Sequence, residues 1–427
     1  MASKYKKSPK IKPVNNFLVL FILSLFQMIT GYIAAACGEQ FEMKAMLALL
    51  CLVATEWVYL IFFFVVFHRR NFELELIAFF LSGVGLVTIG SVYPDSAFKQ
   101  YFMVLAGIAA FIFIVFLMGH VDFCMKIRWY VAGASILLLL VNIAIAKVTN
   151  GARNWISVAG FSLQPSEFVK PAVIVILALS FSGAPNRRRY FTAVAFSACC
   201  CAILLMQRDL GAVFLYFIMT IGMYFAATGN GLITLGGLGA GAAAGYFAYS
   251  RLEYVKRRFE IWKNPWSDPL DKGYQIIQAL IAIGSGGFFG MGLGLGLPRN
   301  IPLYHSDFIF AAICEEFGCL FALCLIGVYL VIALRGFGIA AAARSSFHAL
   351  VAFGVSAQMA LQALIIIGGN TKLIPLTGVT LPLVSSGGSS LAASMVSLGL
   401  LLGVSSVNED YDQYAERRLR DMGGEPS

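Results

Sequence analysis

What most constrains this chain is a succession of uninterrupted apolar runs along nearly its whole length, each close to the roughly 20 residues that an α-helix needs to cross a bilayer. Inside hydrocarbon every backbone N–H and C=O must be satisfied without water, so each run is read as a transmembrane helix. The runs fall at 17–36, 44–67, 75–93, 99–119, 129–148, 167–183, 190–206, 211–228, 231–249, 307–333, 346–369 and 383–406. They are continuous and lack the period-two alternation of a membrane barrel. Composition agrees: only 12% of the residues are charged, against about 25% in a soluble domain. The expectation is an all-α, multi-pass membrane protein. A soluble enzyme, a coiled coil and a disulfide-framed secreted module are excluded.

The nine cysteines lie almost entirely inside apolar runs, with no CxxC pair and no histidine at metal spacing, so they are read as small hydrophobes. The formal net charge of +9 is read as topology and not as a nucleic-acid surface, because cytoplasmic loops collect lysine and arginine. Lys4, Lys6, Lys7, Lys10 and Lys12 precede the first span, and Arg69-Arg70, Lys126 with Arg128, Arg187-Arg188-Arg189, Arg335 with Arg344, and Arg417-Arg418-Arg420 all fall on that same side. Both termini are therefore expected to be cytoplasmic. The first span is read as retained, since Cys37-Gly38-Glu39 makes no small-x-small cleavage site.

The long outer segment 250–306 is cationic on the wrong side of the membrane: Arg251, Lys256, Arg257, Arg258, Lys263, Lys272 and Arg299 outnumber its acids. Two readings stand. Long loops escape the charge rule, with 251–263 an amphipathic helix in the headgroup region that dips Tyr254, Phe259 and Trp262 inward. Alternatively, these cations face an anionic lipid headgroup ligand. The glycine clusters at 284–287, 290–296 and 387–388 permit close backbone approach, to a ligand or between packed helices.

Ionisable groups at membrane depth are costly and become functional candidates. Glu167 and Lys170 share one helix face, three residues apart, after Trp155, Gln164 and Ser166, with Ser166 placed to cap that helix. Gln207-Arg208-Asp209 is a tight charged turn between two apolar runs, expected to point into a cavity. Asp307 follows His305-Ser306 at the expected start of a span whose next charges, Glu315 and Glu316, come about 12 Å deeper at 1.5 Å per residue. Asp307 is therefore either a helix cap or a reactive carboxylate. Gln358, Gln362 and Lys372 lead into Pro375, Pro382 and the Ser385–Ser390 segment. Together these groups describe one extracytoplasmic pocket suited to a lipid-linked diphosphate. Glu56, in the second span, is expected to face protein.

At these residues the chain resembles the SEDS proteins (shape, elongation, division and sporulation; the FtsW, RodA and SpoVE group). The likeness runs through Gly151-Ala-Arg-Asn-Trp-Ile156, Gln164-Pro-Ser-Glu-Phe-Val-Lys170, Asp209-Leu-Gly211, Tyr274-Gln-Ile-Ile-Gln278, Ala282-Ile-Gly-Ser-Gly-Gly287, His305-Ser-Asp-Phe-Ile-Phe310 with Glu315-Glu-Phe-Gly318, and Pro382-Leu-Val-Ser-Ser-Gly-Gly-Ser389. The chain departs from the group at Arg208, often proline, at Ala212, often threonine, at Asn154, often arginine, and in a segment before His305 that lacks the common acid.

The resemblance implies a ten-helix core over 75–406, preceded by residues 1–74 with two additional helices and followed by a cytoplasmic tail, 407–427. It implies polymerisation of lipid II at the outer face of the bacterial cytoplasmic membrane. The 4-hydroxyl of one N-acetylglucosamine attacks C1 of the N-acetylmuramic acid ending the growing chain, undecaprenyl diphosphate leaves, and the α linkage inverts to β. Asp307 matches the group's essential aspartate and would be the general base. Arg153, Lys170 and Arg208 would stabilise the diphosphate, Glu167 would orient Lys170 and Asp209 would shape the cavity. Trp155, Gln164, Ser166, Gln278, Ser285, His305, Ser385 and Ser386 complete the expected substrate site. No cofactor is evident, a divalent cation at Asp307 stays open, and the implied partner is a class B penicillin-binding protein. The alternative is a flippase for the same lipid, which would line a path across the membrane with cations; a solute transporter is a third and weaker reading.

Overall fold

The computed structural model describes residues 15–37, 41–146, 154–158, 161–271 and 273–421. Fourteen α-helices follow in chain order: α1 (Asn16–Ala36), α2 (Met43–Val66), α3 (Glu73–Val92), α4 (Pro94–Met118), α5 (Val121–Ile145), α6 (Pro165–Phe181), α7 (Arg187–Met206), α8 (Leu210–Thr228), α9 (Gly231–Arg251), α10 (Glu253–Lys263), α11 (Tyr274–Gly286), α12 (Ile309–Ala342), α13 (Ser346–Asn370) and α14 (Gly388–Asp421). Every expected span meets one of these helices. Eleven are long and apolar enough to cross a membrane. The exception among the expected twelve is α6, whose 17 residues sit at the short end of the roughly 17–25 that can span.

The inside of the bundle is built by α3, α6, α13 and α14, whose membrane-length stretches are mostly buried, whereas α4, α5 and α9 expose most of theirs. Exposed Phe113, Phe116, Leu232 and Phe247 are what a surface solvated by hydrocarbon carries. The first two helices are not loose appendages. α1 packs on α2 and α3, and Gln27 Nε2 donates to the fully buried Glu56 Oε1 at 2.9 Å, so Glu56 faces protein as expected. Cys37, at the end of α1, donates its thiol to Leu293 O at 2.8 Å, and all nine cysteines are free.

Three features depart from expectation. The outer stretch before α6 holds a small antiparallel hairpin, β1 (Ile156–Val158) against β2 (Phe161–Leu163), within an otherwise helical chain. The segment 250–306 carries α11 as well as the amphipathic α10. Finally, α12 begins at Ile309, with Phe308 as N-cap; Asp307 lies in the preceding turn and caps nothing.

α12 breaks at Gly318, where φ is 88° and ψ 165°. The glycine loop supplies the reason. Met291 and Gly292 donate backbone N–H groups to the carbonyls of Glu315 and Glu316, and Cys319 N donates to Gly287 O. A Cβ at Gly290 would lie 2.2 Å from Glu316 O, so only glycine allows this approach. The Glu316 carboxylate accepts from Gly294 N at 3.0 Å and Ser91 Oγ at 3.1 Å, and Glu315 accepts from Leu297 N. The 290–296 glycines are therefore committed to packing and to holding two carboxylates.

Candidate active site

Asp307 is presented by a turn, and the turn is locked from three sides. Leu303 adopts φ 58°, a left-handed conformation that costs a branched residue energy and persists only where surroundings impose it. Its carbonyl collects the N–H groups of Ser306, Asp307 and Phe308 at 3.0, 3.1 and 3.3 Å. From α13, the buried Asn370 donates Nδ2 to Asp307 O at 2.8 Å and accepts Ala311 N with Oδ1 at 3.2 Å, filling a vacancy at the start of α12. From the segment before α14, Ser385 Oγ donates to Ser306 O at 2.7 Å while accepting Leu381 N, and Ser386 N donates to His305 O at 2.7 Å. Asp307 Oδ2 faces the 371–387 connection, 3.6 Å from where a Cβ on Gly378 would stand.

The electrostatics of this carboxylate follow from its seat. Burial pushes its pKa up to about 6; the Ser306 hydroxyl and the Arg258 guanidinium oppose that rise, and Asp209 adds to it. Burial likewise holds the neighbouring His305 below the ordinary histidine value, favouring its neutral form. A carboxyl tuned to this range is charged at neutral pH yet basic enough to accept a proton from a hydroxyl.

Around Asp307 the expected residues gather to different degrees. Asp209 caps α8 by accepting Ala212 N at 3.1 Å, and its Oδ2 accepts from Gln164 Nε2 at 2.9 Å and Ser166 Oγ at 3.3 Å. Ser166 therefore anchors Asp209 instead of capping α6, whose N-cap is Gln164 without a side-chain bond. Gln164 N in turn donates to Ser389 Oγ. Lys170 sits on one face with Glu167, as expected from their spacing: Nζ lies 2.6 Å from Glu167 Oε2 and 3.0 Å from Gln362 Oε1, with both ion-pair side chains at most 4% exposed. Gln362 continues to Thr380 O, and Gln358 links it to Ser397. Lys170 is thus held inside the protein by Glu167 and Gln362. Arg208, at φ 63°, stacks over the Tyr254 ring at 5.3 Å, and Gln207 is buried against α5, donating to Leu139 O.

Trp155 approaches the same place, its ring edge 3.6 Å from a Cβ position on Gly387. Arg153 lies outside the described residues. Ser285 turns its hydroxyl to Ala282 O within α11, the helix that also carries Gln278. No group of three or more His, Cys, Asp or Glu side chains converges on a metal position among the described residues.

A family model for the FtsW, RodA and SpoVE group, described as a cell cycle protein, matches residues 73–410. The chain belongs to this family. It is 35% identical over 357 residues to a peptidoglycan glycosyltransferase RodA of Mycobacterium tuberculosis, covering 76% of each. It is 35% identical over 354 residues to stage V sporulation protein E of Bacillus subtilis, covering 78% of this chain and 96% of that one. A probable peptidoglycan glycosyltransferase FtsW of a Geobacter species is 37% identical over 300 residues, 67% of this chain and 81% of its own. Among solved structures, one from a study of how a peptidoglycan synthase complex coordinates polymerisation and crosslinking superposes with a TM-score of 0.67 at 26% identity, over 79% of this chain and 98% of that one. Thermus thermophilus RodA superposes at 0.59, also 26% identical, over 78% and 96%.

In this FtsW/RodA/SpoVE protein α1 and α2 precede the matched stretch, while every residue of the Asp307 cluster lies inside it. Sequence reading missed two members. Asn370 is one; its only signal was an amide closing an apolar run. Arg258 is the other, hidden among seven cations of one segment. Tyr254 and Trp262, expected to dip into the membrane, instead reach protein: Tyr254 OH donates to Leu205 O at 3.4 Å and Trp262 Nε1 to Lys372 O at 3.0 Å.

Proposed function

We propose that this protein is an inverting peptidoglycan glycosyltransferase that polymerises lipid II at the outer face of the cytoplasmic membrane. The observation that carries the reading is Asp307: a carboxylate outside the membrane-spanning segments, locked in place by backbone bonds and raised to about 6 by burial. Its carboxylate takes the proton of the acceptor sugar 4-hydroxyl as that oxygen attacks C1 of the donor. The C1–O bond breaks and undecaprenyl diphosphate leaves with the electron pair. A single displacement inverts the anomeric centre, so one base and stabilisation of the departing diphosphate suffice. The relatives named peptidoglycan glycosyltransferases support this reading.

Glu167 and Lys170 act from behind, as a neutralised buried pair that fixes the outer end of α6 to α13. The flippase reading, which would line a path across the membrane with cations, is not favoured, because Asp307, Asp209, Arg258 and the Glu167–Lys170 pair gather at the turns and helix starts of one end. The loop charges support cytoplasmic termini. A class B penicillin-binding protein is the proposed partner, supported by the likeness to a structure from a study of coupled polymerisation and crosslinking.

The test is purified protein, with its partner, supplied with lipid II and scored for glycan strands. Wild type is expected to make strands and Asp307→Asn none; normal strands from the variant would remove the base from the mechanism. Running the assay with and without a chelator reads any need for a divalent cation.

A further inference from the structure

A departing diphosphate needs positive charge close to Asp307, and of the cations expected to provide it the two that lie among the described residues, Lys170 and Arg208, are engaged elsewhere. Lys170 is neutralised by Glu167 and bonded to Gln362. Arg208 is folded over Tyr254. The charged groups whose fields reach the Asp307 carboxylate are Asp209, from the α7–α8 turn, and Arg258, from α10. Arg258 in turn feels Asp209 and Asp307 as its principal charged neighbours, while burial pulls its own pKa down. Among the described residues it is the cation whose charge acts on Asp307, against that of Asp209.

The way α10 lies explains how Arg258 arrives there. Tyr254, Arg258 and Trp262 recur every fourth residue and so share one face of the helix. Each ties that face to an outer turn: Tyr254 to Leu205 O, Arg258 Nη1 to Thr377 O at 3.2 Å and Leu376 O at 3.4 Å, and Trp262 to Lys372 O. α10 is a strap across the 205–209 and 371–378 turns, and Arg258 is its midpoint. The two carbonyl contacts are long and use one nitrogen. Its Nε and Nη2 make no hydrogen bond among the described residues, so a planar fork of donors is left for a ligand. By contrast, the neighbouring Arg257 is exposed and paired with Glu253 on α10 itself.

We infer that Arg258 is the residue that grips the diphosphate of the lipid-linked substrate, holding the leaving group across from Asp307. This rests on the glycosyltransferase reading above. As the C1–O bond breaks, charge grows on the departing phosphate oxygen. A guanidinium with two free donors meets that charge with paired hydrogen bonds, a geometry an ammonium does not reproduce. Arg258 also lowers the proton affinity of Asp307, keeping the base ionised at the start of each cycle.

The experiment uses the full chain with its partner and compares wild type, Arg258→Gln, Arg258→Lys and Arg257→Gln. Lipid II polymerisation, its pH profile and inhibition by added undecaprenyl diphosphate are measured for each. R258Q is expected to lose on the order of 10²-fold in kcat/KM, the usual cost of one donor to a developing oxyanion. R258K should recover part of it. In R258Q the acidic limb of the profile should move to higher pH, because the charge that opposed protonation of Asp307 is gone while Asp209 remains and the neighbouring His305 is neutral. Undecaprenyl diphosphate should inhibit R258Q more weakly than wild type, and R257Q as strongly as wild type. Should R258Q fail to fold, inhibition is read on R258K, which keeps the charge and so the limb, and where weaker inhibition than wild type is still required. An R258Q enzyme inhibited as strongly as wild type with an unmoved acidic limb would reduce Arg258 to a structural tie and overturn the inference. A wild-type protein that makes no strands would instead sink the glycosyltransferase reading.

Discussion

Replacing Asp307 by asparagine should inactivate the protein and stabilise it at the same time. An aspartate of ordinary pKa 3.8 is raised to about 6 in the fold, a shift of roughly 2 units at 1.36 kcal/mol each, or about 3 kcal/mol. The folded-state value is the higher one, so the folded protein holds the proton more tightly than the unfolded chain. The stability this confers is fully present below about pH 4 and is lost as pH rises through about 6. Above that range the ionised carboxylate is a burden that an uncharged isostere removes. Asp307 keeps some contact with solvent, which discounts the effect to about 2 kcal/mol. Thermal unfolding of wild type and D307N in the same detergent should show the variant melting higher at about pH 8. The gap should close toward pH 4, while at about pH 8 strand synthesis falls by on the order of 10²–10⁴. A variant that melts lower than wild type at pH 8, or a gap that ignores pH, would refute the account of a carboxylate strained by burial.

Wild-type strand synthesis should decline as pH is lowered through about 6, the point at which Asp307 takes up its proton; a kcat/KM profile flat to pH 5 would contradict it. Breaking the buried pair by Lys170→Met or Glu167→Gln alone should cost about 3–5 kcal/mol, and the double variant should cost less than the sum, as read by a double-mutant cycle of thermal melts. Asn370→Ala removes bonds to Asp307 O and Ala311 N and should cost about 1–3 kcal/mol together with a fall in kcat; unchanged kcat would mean that the turn does not depend on α13. Gly290→Ala places a methyl 2.2 Å from Glu316 O at φ 82°, and should lower the melting temperature of a protein whose Asp307 is untouched; a melt equal to wild type would show that the loop gives way.

The acidic side chains show where sequence reading works and where it stops. Glu167 and Lys170 three residues apart on a helix had to meet, and they do. Asp209 was read as part of a tight charged turn, and the structure shows in addition that it caps α8. Asp307 was placed at the first position of a span that in fact starts two residues later, because hydropathy does not register that Leu303 turns left-handed and that its carbonyl collects the following N–H groups. Ser166 had the right residue type for a cap but found a better acceptor in Asp209, some forty positions away in the chain. The glycine clusters were ambiguous between ligand and packing until the carbonyls of Glu315 and Glu316 appeared beneath them.

Local chemistry decided which stretches become long apolar helices and which side chains meet one turn apart, since each depends on solvation and spacing within short segments. The identity of the cation facing Asp307 could not be reached that way. Seven basic residues in one segment are equivalent in composition, and only the path of α10 across two distant turns brings Arg258 to the carboxylates while leaving Arg257 in solvent. Electrostatic coupling falls with distance in space, and distance in space is set by packing, not by position along the chain.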